Sequence, residues 1–137
     1  MGRILFIDDV CLDDNSMGDR PSYGSLLEHL AAAGHRVEHM HDWRQAVAWL
    51  EHEYVDVVLV ETSVPHICGL EALSKIRQID ARVPLIAMAG GPQRYHAAYL
   101  SAAMGCGAYY AFGAPYEQEA LLKAVKAGIW RAKGTKV

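Results

Sequence analysis

Three carboxylates stand where apolar runs of the sequence end: Asp8 and Asp9 directly after "RILFI", and Glu61 directly after "VDVVLV". Carboxylates gathered in this way support two kinds of chemistry. They can hold a hard divalent cation between their oxygens, or one of them can attack as a nucleophile while the ion and nearby donors neutralise the developing charge. The second use needs a cationic side chain or hydrogen-bond donors facing the acids. No lysine occurs between Lys75 and Lys123, so the stretch that holds the last two apolar runs brings no ammonium group toward the acids. Without one the three acids repel each other, which predicts weak binding of Mg²⁺ or Ca²⁺ by Asp8, Asp9 and Glu61; the plainer alternative is an acidic, solvated rim.

The elements that must position these acids are legible as an alternation. Short β-rich apolar runs alternate with segments of helical period, the pattern of strands crossing over through helices into a parallel sheet. The strands are expected at Arg3–Ile7, Arg36–Met40, Val55–Val60, Leu85–Ala89 and Ala108–Phe112, and the helices at Tyr23–Ala33, Trp43–His52, Leu70–Ile79, Gln93–Met104 and Glu117–Arg131. "RILFI" and "VDVVLV" are nearly continuous in apolar residues, as strands covered on both faces should be. Gly34 stands where a helix C-terminal cap belongs, Asp42 with Gln45 resembles a capping box, and Pro92 suits a helix start. In the last helix Leu121, Leu122, Val125 and Ile129 form an inward stripe.

In an open parallel sheet, ligands gather beyond the carboxyl ends of the strands, where strand order reverses. That rule selects Asp8-Asp9, Glu61-Thr62-Ser63, Ala89-Gly90-Gly91 and Gly113-Ala114-Pro115.

A length of 137 residues suits one domain with a full core, and 52% apolar with 21% charged residues is a globular composition. A net charge of −3 recruits neither nucleic acid nor an anionic membrane surface, and no helix-turn-helix is evident. The charge is nonetheless uneven. Asp8, Asp9, Asp13, Asp14 and Asp19 make one corner anionic, while Lys123, Lys126, Arg131, Lys133 and Lys136 crowd an acid-free C-terminus and make the last helix cationic where it ends. Cys11, Cys68 and Cys106 form no CxxC pair, the N-terminal apolar run is too short for a signal peptide, and no stretch approaches the ~20 apolar residues that span a bilayer. A cytoplasmic protein is expected.

Taken together, "ILFIDD", "VDVVLVETSVPHICGLEAL", "VPLIAMAGG" and "AFGAPYEQEALL" resemble the receiver domain of two-component response regulators, over nearly the whole chain. The resemblance implies a flavodoxin-like α/β fold: five parallel strands in the order 2-1-3-4-5 with five surrounding helices. It also implies a phosphoryl group passed from a histidine kinase to an aspartate ending the third strand, a metal held by the acidic pair, a Thr or Ser ending the fourth strand and a Lys before a cis-prone proline after the fifth. The metal pair maps to Asp8 and Asp9. The acceptor place holds Glu61, the Thr/Ser place Ala89, and the Lys place Ala114 before Pro115.

These departures bear on the chemistry. An extra methylene moves the acceptor carboxylate by about an ångström, a misplacement that can cost about 10²-fold in rate. A hydrogen bond to a charged acceptor contributes roughly 1.5–3 kcal/mol, and alanine supplies none of it. The resemblance therefore points to a degenerate pseudo-receiver, an interaction module independent of phosphorylation, requiring no cofactor and catalysing no reaction. Two rivals keep a role for the acid: Glu61 as a non-standard phosphoacceptor, or as a permanent mimic of phosphate. A third is a small-molecule carrier on the same sheet, against which stands the lack of a DxHxxG after the first strand. A loop-like insert at about 11–22 separates the first strand from its helix.

The fourth helix, fifth strand and fifth helix of receivers dock partners. In this chain that face would carry Tyr95, Tyr99, Tyr110, Phe112, Tyr116 and Trp130, for a histidine kinase, an output domain or a second copy. His39 and His41 share one face of the second strand; without further converging ligands they read as a solvated edge. Cys11 and Cys68 read as inert loop side chains, and "AGGP" as a plain turn.

Overall fold

A computed structural model of the chain describes residues 2–9, 24–63, 68–90 and 93–134. Five parallel strands form one sheet in the order β2-β1-β3-β4-β5, with β1 Arg3–Asp9, β2 Arg36–Met40, β3 Val57–Ser63, β4 Leu85–Gly90 and β5 Tyr110–Gly113. The helices are α1 Gly24–Ala32, α2 Trp43–Leu50, α3 Cys68–Ile79, α4 His96–Gly105 and α5 Gln118–Gly134, and a 3-10 turn over Gln93–Tyr95 precedes α4. This is the flavodoxin-like receiver architecture that the alternation and the resemblance imply.

Side chains of successive strand residues point to opposite faces, and both faces are covered. Leu5, Ile7, Val58, Val60, Leu85 and Ala87 pack with Ala46, Leu73, Ile76 and Tyr99 from α2, α3 and α4. Ile4, Phe6, Val57, Leu59, Ile86 and Met88 pack with Leu26, Leu30, Leu121, Val125 and Ile129 from α1 and α5. Two-sided cover is the reason the strands read as unbroken apolar runs. Of the expected stripe on α5, Leu122 is only partly buried.

Element limits differ from the sequence expectation where polar residues are involved. β1 and β3 run on through their acids, because Asp8 pairs with Glu61 and Asp9 with Thr62, while Thr62 and Ser63 pair with Ala89 and Gly90. Ladder bonds between parallel strands need only backbone, so the polar tips continue the sheet after the apolar run ends. At its other end β3 starts at Val57, two residues later than expected, and β5 starts at Tyr110 instead of Ala108. Gly34 closes α1 at a φ of 89°, and the Asp42 carboxylate caps α2 by accepting from the Arg44 N–H at 2.9 Å. Pro92, Cys11 and the expected insert lie outside the described residues, and Cys68 opens α3 where a loop was expected. No helix among the described residues is long and apolar enough to cross a membrane.

Candidate functional site

β1 lies between β2 and β3, so strand order reverses at its carboxyl end. The site is built from that end outward. The alternation that turns Ile4 and Phe6 toward α1 and α5 carries on to Asp8, and the alternation of Val57 and Leu59 carries on to Glu61. Since Asp8 and Glu61 are register partners, their carboxyl groups leave neighbouring strands, ~4.8 Å apart, on the same face. Both are buried, at 8% and 4% exposure. Carboxylate oxygens are the hard donors that Mg²⁺ takes, so these two residues fit the metal that the resemblance implies. The Asp9 backbone belongs to β1, while its side chain lies outside the description.

Glu61 fits because β4 ends in glycine. A Cβ built at Gly90 would collide with Glu61 Oε1, so the longer acid occupies the space that any other residue at 90 would fill. On the next strand pair, Ala89 is fully buried, and the Ala114 N–H donates to the Ala89 carbonyl at 2.9 Å. The two alanines therefore stand side by side at the carboxyl ends of β4 and β5, and neither side chain donates a hydrogen bond. The Ala114–Pro115 peptide is cis.

The structure adds two histidine features. His96, at the start of α4, is buried, and a Cβ on Gly113 would come 2.7 Å from its Nδ1, which packs an imidazole against the residue before Ala114. Nothing in its sequence spacing marks it. On the other side of the acids, the edge strand does not leave His39 and His41 to solvent alone: His39 Nε2 lies 4.0 Å and His41 Nδ1 3.8 Å from the same Asp8 oxygen. Burial, and then the neighbouring His41, lower the His39 pKa against the upward pull of Asp8.

The aromatic residues of the α4–β5–α5 face separate by burial. Trp130 is 82% and Tyr110 41% exposed, while Tyr95, Phe112 and Tyr116 are half-buried. Tyr99 is a correction: at 5% exposure it is part of the core beneath α4, because its position on the helix faces the sheet.

The family model of the response regulator receiver domain matches residues 10–126. No curated protein matches the chain. Among solved structures, a CheY-like receiver domain from Methanospirillum hungatei is similar at a TM-score of 0.74 and 21% identity, over 97% of this chain and 97% of that one. The receiver domain of a sensor histidine kinase from Pseudomonas aeruginosa, with a magnesium ion coordinated in its active-site cleft, is similar at 0.70 and 23% identity, over 94% and 98%. NtrX from Brucella abortus, in complex with ADP, is similar at 0.75 and 18% identity; there 98% of this chain corresponds to 28% of the larger protein.

Proposed function

This chain belongs to the response regulator receiver domain family, and from that premise we propose that it serves two-component signalling as a protein-interaction module that takes no phosphoryl group. In this reading residues 1–137 are one receiver-like domain, with an insert at about 11–22, that works in the cytoplasm, catalyses no reaction and engages a histidine kinase, an output domain or a second copy. Phosphoryl transfer to a carboxylate relies on positioned donors that neutralise the transferring oxygens. The observation that carries the proposal is the pair Ala89 and Ala114, hydrogen-bonded to each other through their backbones where those donors would stand. Glu61 beside them retains an acid one methylene too long.

Asp8, Asp9 and Glu61 hold Mg²⁺ weakly in this reading, by oxygen ligands alone and without a compensating lysine, and calorimetry without heat at millimolar Mg²⁺ would remove that part. The partner docks on the face carrying Tyr110 and Trp130. Incubation with acetyl phosphate and Mg²⁺ tests the main claim. The mass of the protein is expected to stay unchanged, and a gain of one phosphoryl group that Glu61→Gln abolishes would overturn it.

A further inference from the structure

We propose that Asp8, His39 and His41 form a binding site for a divalent transition-metal ion of the Zn²⁺ type. The three residues come together through strand geometry. His39 lies on β2 and His41 one residue past its end, with their rings 4.6 Å apart, and Phe6, two before Asp8 on β1, is the register partner of His39. Ile7 pairs with Met40, the last residue of β2, and His41, just past the strand end, comes beside Asp8, its Nδ1 3.8 Å from Asp8 Oδ2. One donor atom from each of Asp8, His39 and His41 lies within 4.8 Å of the others.

The spacing is close to that of a loaded site. Donors at ~2.1 Å from a tetrahedral ion stand about 3.4 Å apart. The separations from Asp8 Oδ2, 4.0 Å to His39 and 3.8 Å to His41, exceed that by about half an ångström. The adjustment falls on imidazoles that have room to make it, since the His41 side chain is 68% and the His39 side chain 29% exposed. The His39 ring is steered from behind by Phe6, edge-on at 5.0 Å between centroids, and the His41 ring stands 4.6 Å from it at 55°.

The donor set selects the metal. Imidazole nitrogens favour Zn²⁺, Ni²⁺ or Cu²⁺ over Mg²⁺ and Ca²⁺, which prefer all-oxygen surroundings. Two imidazoles and one carboxylate also leave a fourth tetrahedral position for water or for a donor from a partner. Asp8 belongs both to this site and to the oxygen corner with Glu61, so the ion on the histidines draws on the same carboxylate. The site does not depend on whether Glu61 accepts a phosphoryl group.

Zn²⁺ calorimetry and Co²⁺ absorption on the full chain test the assignment, with His39→Ala, His41→Ala and, as a control on an exposed histidine, His52→Ala. The parent is expected to bind one Zn²⁺ and to give Co²⁺ the intense visible bands of a tetrahedral site. Each of His39→Ala and His41→Ala is expected to weaken Zn²⁺ at least about tenfold, with His52→Ala unchanged and Mg²⁺ titrations alike in all four proteins. Should His39→Ala fail to fold, the solvent-facing His41→Ala carries the test, with circular dichroism confirming its fold. Equal Zn²⁺ affinity in the parent and His41→Ala, or no saturable binding by the parent, would overturn the proposal.

Discussion

Glu61 and Gly90 are matched to each other across the β3–β4 boundary. Adding a methyl group at 90 collides with the Glu61 carboxylate, and overpacking a filled interior costs typically about 1–3 kcal/mol. The colliding atom is the far end of a side chain that can swing, so the low end of that range applies. Gly90→Ala is expected to destabilise the chain by about 1 kcal/mol in urea unfolding, and the same substitution in a Glu61→Asp background to cost nothing measurable, because the shorter acid no longer reaches over residue 90. Equal penalties in the two backgrounds would show that the contact does not set the cost. The acid itself is plain in the sequence, standing alone after an apolar run. Its neighbour is not, because "AGG" reads as a turn and only the strand register brings Gly90 under Glu61. The same limit hid Asp8 from His39 and His41: alternation along one strand is visible in the sequence, whereas convergence between strands is set by register.

Elements are fastened at the opposite end of the sheet from the site. Arg77, in the last turn of α3, donates to the carbonyls of Asp80 at 3.2 Å, Val83 at 2.7 Å and Gly107 at 2.6 Å, and its guanidinium lies 5.7 Å from the centre of the Tyr109 ring. It joins the α3–β4 connection to the α4–β5 turn. That turn passes through Gly107 at a φ of 102°, where a Cβ would also press on Arg77 Nε. Arg77→Met keeps the apolar stem and removes every donor. Part-buried carbonyls left unsatisfied cost about 1–3 kcal/mol each when fully desolvated; two of these three bonds are short, so a loss of about 2–3 kcal/mol is expected in thermal or urea unfolding. Zn²⁺ binding at 25 °C is expected to be unaffected, since the metal donors lie at the carboxyl ends of β1 and β2. The order of strands and helices is legible because two-sided burial writes itself as apolar runs. Arg77 is not, because its spacing does not distinguish it from Arg82 or Arg94, and the bond that joins the two connections reaches across 30 residues of chain.

At the scale of the whole molecule, the acids and histidines stand apart from the exposed aromatics of the α4–β5–α5 face. The acids and histidines occupy the carboxyl ends of β1, β2 and β3, while large apolar side chains emerge one each from α4, β5 and α5 as Met104 at 47%, Tyr110 at 41% and Trp130 at 82% exposure. A tryptophan so exposed contributes little to folding, yet a buried aromatic of this kind is what partner interfaces use as an anchor. Beside it Arg131 stacks on Tyr109 at 4.1 Å, which holds α5 to the turn before β5 and gives the patch a rigid base with a cationic border. Tyr99 sits beneath the same face but belongs to the core. The two aromatics therefore give opposite outcomes. Tyr99→Ala is expected to cost about 3 kcal/mol, in the range for emptying a buried aromatic site, whereas Trp130→Ala is expected to move stability by no more than about 0.5 kcal/mol, as surface changes do. Urea unfolding of both variants checks this. A Trp130→Ala penalty as large as that of Tyr99→Ala would mean that the indole is committed to holding the fold and that the α4–β5–α5 side has no anchor to offer a partner.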